Sequence, residues 1–171
     1  GCTNAADWNA NRSSQIHSFD TSSIQAQPDI IAKLPQGALE DGVLDVAAST
    51  DYAPAEFLDP SGTAVGYDVD LTNAIAAVLG VKGKVHTAEF DSIIASIGSK
   101  YDAGISSFTV TPERTAEVDM TAYINVGSRF NVQAGNPKEV DTSDHLKLCG
   151  RTIGVQVGTG QEATMRKAAE N

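Results

Sequence analysis

The feature that most restricts the fold of this chain is a regular alternation of short apolar strands and amphipathic helices. Strands are predicted at Val43–Ala48 and at residues 84–88, and a helix over residues 68–80 separates them. A second helix at residues 91–98 and a short buried strand within residues 102–107 continue the pattern. Strands that alternate with helices across short loops form a parallel sheet with helices on its faces. The expected fold class is α/β, with a parallel or mixed sheet flanked by helices.

Local signals mark where the two predicted helices begin and end. Asp68 and Asp91 each stand at the start of a helical pattern, where a carboxylate can accept hydrogen bonds from the first free N–H groups. Gly80 follows the first helix, at the position where a left-handed residue commonly ends a helix. We therefore expect Asp68 and Asp91 to be N-caps and Gly80 to terminate the first helix.

The acidic net charge of the chain limits which classes of partner it is expected to bind. The 171 residues include 12 Lys and Arg against 22 Asp and Glu, a formal net charge of −10. Binding to a nucleic-acid backbone needs clustered cations, so nucleic acid is not an expected partner.

The cysteines and histidines lack the paired spacing of a metal site, so no metal or cofactor is expected. No apolar run approaches the roughly 18–20 residues that span a bilayer, so no transmembrane segment is expected.

The N-terminal residues are predicted to form a tether. Residues 3–27 are mostly small and polar, and such a stretch cannot bury enough apolar surface to offset the entropy of ordering. The preceding Gly1-Cys2 resembles the processed end of a bacterial lipoprotein, in which the cysteine carries acyl chains. The resemblance implies a lipid anchor on Cys2, and a remnant of cloning is the alternative. Cys149 would then be a lone thiol, which most often packs as a small buried hydrophobic residue.

The C-terminal residues predict the beginning of a second domain. Residues 150–157 are expected to form a strand, and the residues from Gly160 onward a helix. One strand and one helix cannot close a hydrophobic core, so this second domain is expected to be incomplete. Residues 158–163 also fit the G-x-G-x-x-A pattern of dinucleotide-binding turns, an alternative that lacks the acidic residue about 20 positions later.

Polar side chains follow the last predicted strand. Ser107 and Thr109 would share a side of an extended backbone, and Thr111 is expected to cap a short helix that begins at Pro112. Arg114 then projects from the first turn, and its planar guanidinium matches the two oxygens of a carboxylate. Because ligands of open α/β sheets lie beyond the carboxyl ends of the strands, this turn predicts a site for a small carboxylate. A Ser/Thr-rich turn with a surface arginine is the alternative.

The other strand ends supply further candidates. Tyr52 and Phe90 can form apolar walls of a pocket, although a lone phenylalanine is more often part of a core. Asp51 can face a ligand ammonium, or it can cap a turn. Glu89 stands beside Phe90 at the end of the second strand.

Four segments of the chain, taken in order, carry a family resemblance. They are residues 51–57 (DYAPAEF), 65–71 (VGYDVDL), 89–97 (EFDSIIASI) and 100–114 (KYDAGISSFTVTPER). From about residue 39 to residue 162, this series resembles the extracellular solute-binding proteins of amino-acid ABC transporters, bacterial solute-binding protein family 3. The resemblance implies the type II periplasmic-binding-protein fold, in which two α/β lobes close over a ligand.

That fold divides the chain into three expected parts. Residues 1–38 would be a largely disordered lipoprotein tether, and residues 39–135 the first ligand-binding lobe. Residues 136–171 would contain the hinge and the start of a second lobe that is cut short. The resemblance also implies that residues 123–136 form the last strand of the first lobe before the hinge.

The implied function is capture of a free amino acid outside the cytoplasmic membrane and its delivery to the permease of an ABC importer. In the family, the position of Arg114 clamps the ligand α-carboxylate and the positions of Tyr52 and Phe90 pack on the ligand side chain. Relatives tend to carry a hydroxyl where Gly160 stands, so backbone N–H groups at this helix start are expected to act instead. The implied ligand-binding residues are Asp51, Tyr52, Glu89, Phe90, Ser106, Ser107, Thr109, Arg114, Thr159 and Gly160.

Two further hypotheses stay open. An enzyme on the same fold, similar to cyclohexadienyl or arogenate dehydratases, is the alternative function, with Asp51, Glu56 and Glu89 as candidate acids. No catalytic motif accompanies these acids, so enzymatic activity is not expected. Exposed edges of the first-lobe sheet invite pairing with another chain, so a dimer formed through such an edge is the second hypothesis.

Overall fold

The computed structural model of the protein describes residues 18–170. Residues 1–17 and Asn171, and with them the predicted lipid attachment at Cys2, lie outside the described residues. The helices are α1 (Pro28–Ile31), α2 (Tyr67–Leu79), α3 (Phe90–Ser96), α4 (Pro112–Thr115), a 3-10 helix (His145–Leu148) and α5 (Gly160–Ala169). The strands are β1 (Val43–Ala48), β2 (Asp51–Tyr52), β3 (Glu56–Leu58), β4 (Ala64–Val65), β5 (Lys82–Thr87) and β6 (Ala103–Gly104).

The main sheet confirms the predicted parallel arrangement. β1 lies in the middle, with β5 on one side and β6 on the other, and both neighbours run parallel to it. Val43 pairs with Lys82 and Ala48 with Thr87, so β1 and β5 match over their whole length. β6 is much shorter and pairs with the second half of β1.

The core lies on both faces of β1. This strand is buried over most of its length, as expected for a central parallel strand that helices cover on both sides. On one face, Leu44 and Val46 pack with Ala76 of α2. On the other face, Ala47 packs with the fully buried Ile93 of α3. Both predicted helices therefore cover the sheet, α2 through a buried face that carries Val69, Thr72 and Ala76 while Ile75 is exposed.

A small antiparallel sheet, in the order β2-β3-β4, lies just before α2 in the chain. Gly66 connects this sheet to the helix with φ +122°, and a Cβ at that position would lie 2.2 Å from the carbonyl oxygen of Ala55. Only glycine fits so close an approach. The same carbonyl accepts the N–H of Asp68 at 2.9 Å, which fixes the first turn of α2 against the loop before β3.

The predictions that Asp68 and Asp91 are N-caps are wrong, whereas the prediction that Gly80 ends the first helix is confirmed. α2 begins at Tyr67 after Gly66, so Asp68 lies inside the first turn, where it is almost completely buried. Its carboxylate accepts hydrogen bonds from more distant hydroxyl groups instead of the helix N–H groups. α3 likewise follows Glu89, which places Asp91 inside its first turn. Gly80 ends α2 with φ +71°, as predicted.

Two predicted strands do not form. Residues 123–136 and residues 150–157 are extended or turn segments without strand structure. A strand requires a neighbour for its N–H and C=O groups. Within the described chain, no backbone hydrogen bond joins residues 123–132 or 152–157 to another segment. The predicted helix after residues 150–157 does form, as α5, and Thr159 is its N-cap.

The remaining segments differ from the sequence expectations in two respects. Part of the predicted tether lies against α2, because the N–H of Gln27 donates to the carbonyl of Val78 at 2.8 Å. Cys149 is exposed and not buried, since it follows a surface 3-10 helix. Among residues 18–170, no helix has both the length and the apolar character needed to cross a membrane.

Candidate functional site

Hydrogen bonds join the carboxyl ends of the three parallel strands. The N–H of Ser49, just after β1, donates to the hydroxyl of Ser106, just after β6, at 3.0 Å. The hydroxyls of Thr50 and Thr87, after β1 and at the end of β5, lie 2.9 Å apart and share a hydrogen bond. These side-chain contacts hold the strand ends at one edge of the sheet, where the polar candidates were expected to meet.

Arg114 is the central cation at this edge. Thr111 caps α4 as predicted, because its hydroxyl accepts the N–H of Arg114 at 3.3 Å. From this first turn the guanidinium donates from Nη1 to the carbonyl of Thr109 and from Nη2 to the carbonyl of Gly158, both at 2.7 Å. The side chain therefore joins its own turn to the segment just before α5.

Two aromatic rings support the guanidinium. Phe90 and Phe108 stack with their ring centroids 4.6 Å apart. The Arg114 Cζ atom lies 5.6 Å from the centroid of Phe90 and 5.4 Å from that of Phe108, which are cation–π distances. Partial burial lowers the pKa of Arg114, yet the group remains a cation at neutral pH because an arginine ordinarily titrates above pH 12.

Arg114, Phe90 and Phe108 form the Arg114 cluster, and the start of α5 lies close to it. A Cβ at Gly158 would lie 2.8 Å from Cβ of Asp91, and one at Gly160 would lie 3.9 Å from the Thr109 hydroxyl oxygen. The hydroxyl of Thr159 accepts the N–H of Glu162 at 3.1 Å and caps the helix. Thr109, Thr159 and Gly160 are therefore neighbours of the Arg114 cluster, and the Thr159 hydroxyl serves its own helix.

The two predicted serines contact buried acids. Ser106 donates its hydroxyl to Oε1 of Glu56 at 2.5 Å, and Ser107 donates its hydroxyl to Oδ2 of Asp68 at 3.0 Å. Ser107 has φ +50°, so the expectation of an extended backbone with the 107 and 109 hydroxyls on one side is wrong. The positive φ turns the chain between Ser107 and Thr109.

Three residues next to these serines were not among the predicted ligand-binding residues, although Glu56 was a candidate acid for the enzyme alternative and Asp68 a predicted N-cap. Glu56 and Asp68 are each 1% exposed, and the hydroxyl of Tyr123 donates to Oδ1 of Asp68 at 2.8 Å. Burial raises the pKa of Glu56 to about 9, and the charges of Asp68 and Asp51 add to this shift. Burial also raises the pKa of the Tyr123 phenol. The sequence does contain a signal for the burial of Glu56 and Asp68, because each is a polar residue within an otherwise apolar segment.

Three predicted residues are exposed just after β1 and β5. Asp51 is exposed and its Oδ1 accepts the hydroxyl of Ser49 at 3.0 Å. Tyr52 is 53% exposed, and the side chain of Glu89 is exposed at the start of α3. In the described part of the chain, no direct hydrogen bond joins any of these three residues to Arg114.

A cavity of about 500 Å³ lies beside β6, and Ser106 and Phe108 are among the residues that line it. Its walls come from α3, from β6 and from residues 117–121, and Tyr123 also contributes. Arg114 is not part of its lining. Within residues 18–170, no group of three or more His, Cys, Asp or Glu side chains is arranged to hold a metal ion.

Comparison with known proteins identifies the family. Residues 44–170 match the model of the bacterial extracellular solute-binding proteins, family 3. The chain belongs to this family. The family resemblance predicted from the sequence is thus confirmed.

Three similar proteins illustrate the relationship. The arginine-binding protein ArgT of Corynebacterium glutamicum is 29% identical over 136 residues, which are 79% of this chain and 44% of that protein. The L-cystine-binding protein TcyJ of Escherichia coli K12 is 32% identical over 130 residues, which are 75% of this chain and 48% of that protein. The crystal structure of an ancestral amino acid-binding protein, described as a precursor of cyclohexadienyl dehydratase, superposes with a TM-score of 0.69. It is 31% identical, and the match covers 76% of this chain and 58% of that structure.

These matches confirm the predicted fold class, the type II periplasmic-binding-protein fold. The chain spans about half the length of the curated relatives it matches. The similar proteins named above are described as binding proteins.

Proposed function

We propose that this protein binds a free amino acid and holds the ligand α-carboxylate on Arg114. The observation that carries the proposal is the placement of the guanidinium, which lies over two aromatic rings and donates to the carbonyls of Thr109 and Gly158. A carboxylate is a stronger acceptor than a carbonyl, and the parallel donors of a guanidinium match its two oxygens. A ligand carboxylate would therefore replace one or both carbonyls, with the Thr109 hydroxyl beside it.

The ligand would lie between two lobes. In this proposal residues 1–38 are the tether, residues 39–135 the first lobe, and residues 136–171 the hinge and the start of the second lobe. Arg114 and Gly158 belong to opposite sides of that division, and their hydrogen bond joins the two sides. A ligand that contacts both sides stabilises the closed arrangement, because it gains its second set of contacts only on closure.

A basic amino acid is the ligand class with the best support. One relative is named for arginine and another for cystine, both of which carry polar or charged groups far from the α-carbon. In this chain Asp51, Tyr52 and Glu89 are exposed where the chain leaves β1 and β5. Two carboxylates and an aromatic ring can receive a cationic side chain through ion pairs and a cation–π contact.

The bound amino acid would be delivered to the permease of an ABC importer outside the cytoplasmic membrane. The family description, which names extracellular solute-binding proteins, supports this location. A lipid anchor on Cys2 would hold the protein at the membrane surface, and two acyl chains suffice for stable anchoring. Mass spectrometry of the N-terminal peptide from membranes should find the acylated cysteine, and an unmodified Cys2 would contradict the anchor.

Pairing of two copies through the open edge of β6 is a further part of the proposal. β6 is an outer strand of the main sheet, and the 500 Å³ cavity lies beside it. An uncovered strand edge offers N–H and C=O groups to another chain. Light scattering at high protein concentration should give twice the monomer mass, whereas a strict monomer would exclude this dimer.

An enzymatic function has less support. The solved neighbour that is described as a dehydratase precursor is itself an amino acid-binding protein. Among the candidate acids, Glu56 is buried against Ser106, while Asp51 and Glu89 are exposed. We therefore propose binding without turnover, so that prephenate and arogenate should remain unchanged after incubation with the protein.

A thermal-shift screen of the complete protein against the twenty amino acids tests the proposed function. At a ligand concentration about 100-fold above Kd, binding should add about 2.7 kcal/mol to the unfolding free energy. Arg114→Ala should abolish the shift, and Arg151→Ala, at an exposed position, should keep it. A flat response of the wild-type protein to all twenty amino acids would overturn the proposal.

A further inference from the structure

Ser107 adopts a left-handed backbone conformation that three hydrogen bonds hold in place. Its φ is +50°, a region that residues with a Cβ rarely adopt. Its hydroxyl donates to Oδ2 of Asp68 at 3.0 Å, and its N–H donates to the hydroxyl of Tyr123 at 3.2 Å. The Tyr123 hydroxyl in turn donates to Oδ1 of Asp68 at 2.8 Å. The three residues thus form a closed hydrogen-bonded triangle.

The triangle lies directly before the residues that hold Arg114. Phe108, the next residue, stacks on Phe90 beneath the guanidinium, and the carbonyl of Thr109 accepts the Arg114 Nη1 hydrogen bond. The φ angle of Ser107 sets the direction of the chain that follows it. A change in that angle would move both the aromatic support and the carbonyl partner of Arg114.

Burial makes the triangle sensitive to the loss of a single atom. Asp68 is 1% exposed, and the two hydroxyl donors are its side-chain partners. A buried carboxylate is tolerated only when its oxygens are hydrogen-bonded, so the loss of one donor leaves a costly unsatisfied group. The strained Ser107 conformation persists because its surroundings favour it, and a strained residue beside a binding site is a sign of preorganisation.

We propose that Asp68 and Tyr123 are positioning residues for ligand binding, which hold Ser107 in its left-handed conformation and thereby place the Thr109 carbonyl and the aromatic support of Arg114. This inference rests on the proposed function, because it concerns the same site. Neither residue needs to touch the ligand. Both act through Ser107, from α2 on one side and from the segment after α4 on the other.

Tyr123→Phe is the most selective variant for the test. It removes one oxygen atom, retains the ring, and leaves the Ser107 N–H without its acceptor and Asp68 without one donor. Asp68→Asn changes the charge and the acceptor capacity at nearly constant volume. Tyr67→Phe is the matched control, since no hydrogen bond of the Tyr67 hydroxyl is present within the described residues and its side chain is partly exposed. Leu44→Ala is a core variant that lowers stability away from the triangle.

The experiment is calorimetric titration of the complete protein. L-Arginine is titrated first, and the variants are compared with the amino acid that gives the largest thermal shift. Tyr123→Phe and Asp68→Asn should each raise Kd about tenfold or more. Ser107→Ala combined with Tyr123→Phe should raise Kd by less than the product of the two single effects, because both act through one turn. Tyr67→Phe and Leu44→Ala should keep the wild-type Kd at a temperature where both remain folded.

Each outcome separates the inference from the proposed function. If the wild-type protein binds and both Tyr123→Phe and Asp68→Asn keep its Kd, the positioning role is overturned and the proposed function stands. If Leu44→Ala raises Kd as much as Tyr123→Phe does, the effect is general destabilisation and the inference fails. If the wild-type protein binds none of the twenty amino acids, the proposed function fails and takes the inference with it.

Discussion

Arg114 donates a 2.7 Å hydrogen bond from Nη2 to the carbonyl oxygen of Gly158, 44 residues further along the chain. The bond connects α4 to the segment just before α5, in a site where the same guanidinium also lies over two aromatic rings. A guanidinium can make such contacts at once because it is planar and has five N–H donors. The shape of this group, and not only its charge, therefore matters at residue 114.

Replacing Arg114 with lysine should weaken ligand binding although the charge is kept. Lysine presents a compact ammonium that cannot make the paired, planar contacts of a guanidinium. Loss of one hydrogen bond to a charged group corresponds to a rise in Kd of about 10- to 100-fold. Titration calorimetry of the complete protein measures the change, with Arg151→Lys as the control. A wild-type Kd in Arg114→Lys would show that charge alone suffices.

Replacing Gly158 with alanine should separate the start of α5 from α3. Gly158 has φ +75°, and an added Cβ would lie 2.8 Å from Cβ and 3.1 Å from Cα of Asp91. The left-handed conformation alone costs a residue with a Cβ about 1–2 kcal/mol, and the clash adds to it. We expect weaker binding and faster hydrogen exchange at residues 158–162.

The control for that experiment is Gly154→Ala, in the same segment. Gly154 has an ordinary φ, and a Cβ there would meet no atom within 4 Å. Equal affinity and equal exchange rates in Gly154→Ala and Gly158→Ala would contradict the close packing of α5 against Asp91.

Replacing Gly66 with alanine should destabilise the protein. The added Cβ would lie 2.2 Å from the Ala55 carbonyl oxygen, which itself accepts the N–H of Asp68. The start of α2 would have to move, with an expected loss of at least about 2 kcal/mol of unfolding free energy. Urea denaturation measures it, with Gly127→Ala, where a Cβ meets no atom within 4 Å, as the control. Coincident unfolding curves would refute the prediction.

The sequence pattern was sufficient for the parallel sheet but not for its finer geometry. The apolar run of β1 and the buried Ile93 of α3 follow from burial, which the pattern of apolar and polar residues reflects directly. The predicted N-cap at Asp68 failed because its carboxylate finds better partners in Ser107 and Tyr123, which lie 39 and 55 residues away. A local rule for helix ends does not include such distant hydroxyl groups.

The candidate site was predictable only where its geometry depends on residues that are neighbours in the sequence. Thr111 capping α4 and Arg114 projecting from it follow from neighbouring residues, so the spacing gave the correct local geometry. The left-handed Ser107 depends on Asp68 and Tyr123, which only the fold brings to it. The contact of Arg114 with Gly158 likewise depends on how α5 lies against α3.

Glu56 should make the stability of the protein fall as the pH rises. Burial raises its pKa from the ordinary 4.5 to about 9, and the negative charges of Asp68 and Asp51 add to the shift. Tyr123 also borders Asp68, but burial raises the pKa of its phenol as well, so it stays neutral in this range. Between pH 4.5 and pH 9 the folded protein holds a proton on Glu56 that the unfolded chain has released.

The unfolding free energy therefore contains a contribution that is fully present below about pH 4.5 and is lost as the pH approaches 9. Its slope reaches at most about 1.4 kcal/mol per pH unit. Glu56→Gln has the shape of the neutral acid and carries no titrating proton, so it should remove this slope. Urea denaturation at pH 6 and pH 8 should show Glu56→Gln gaining stability over the wild-type protein as the pH rises. An equal difference between the two proteins at both pH values would mean that Glu56 is ionised in the folded state.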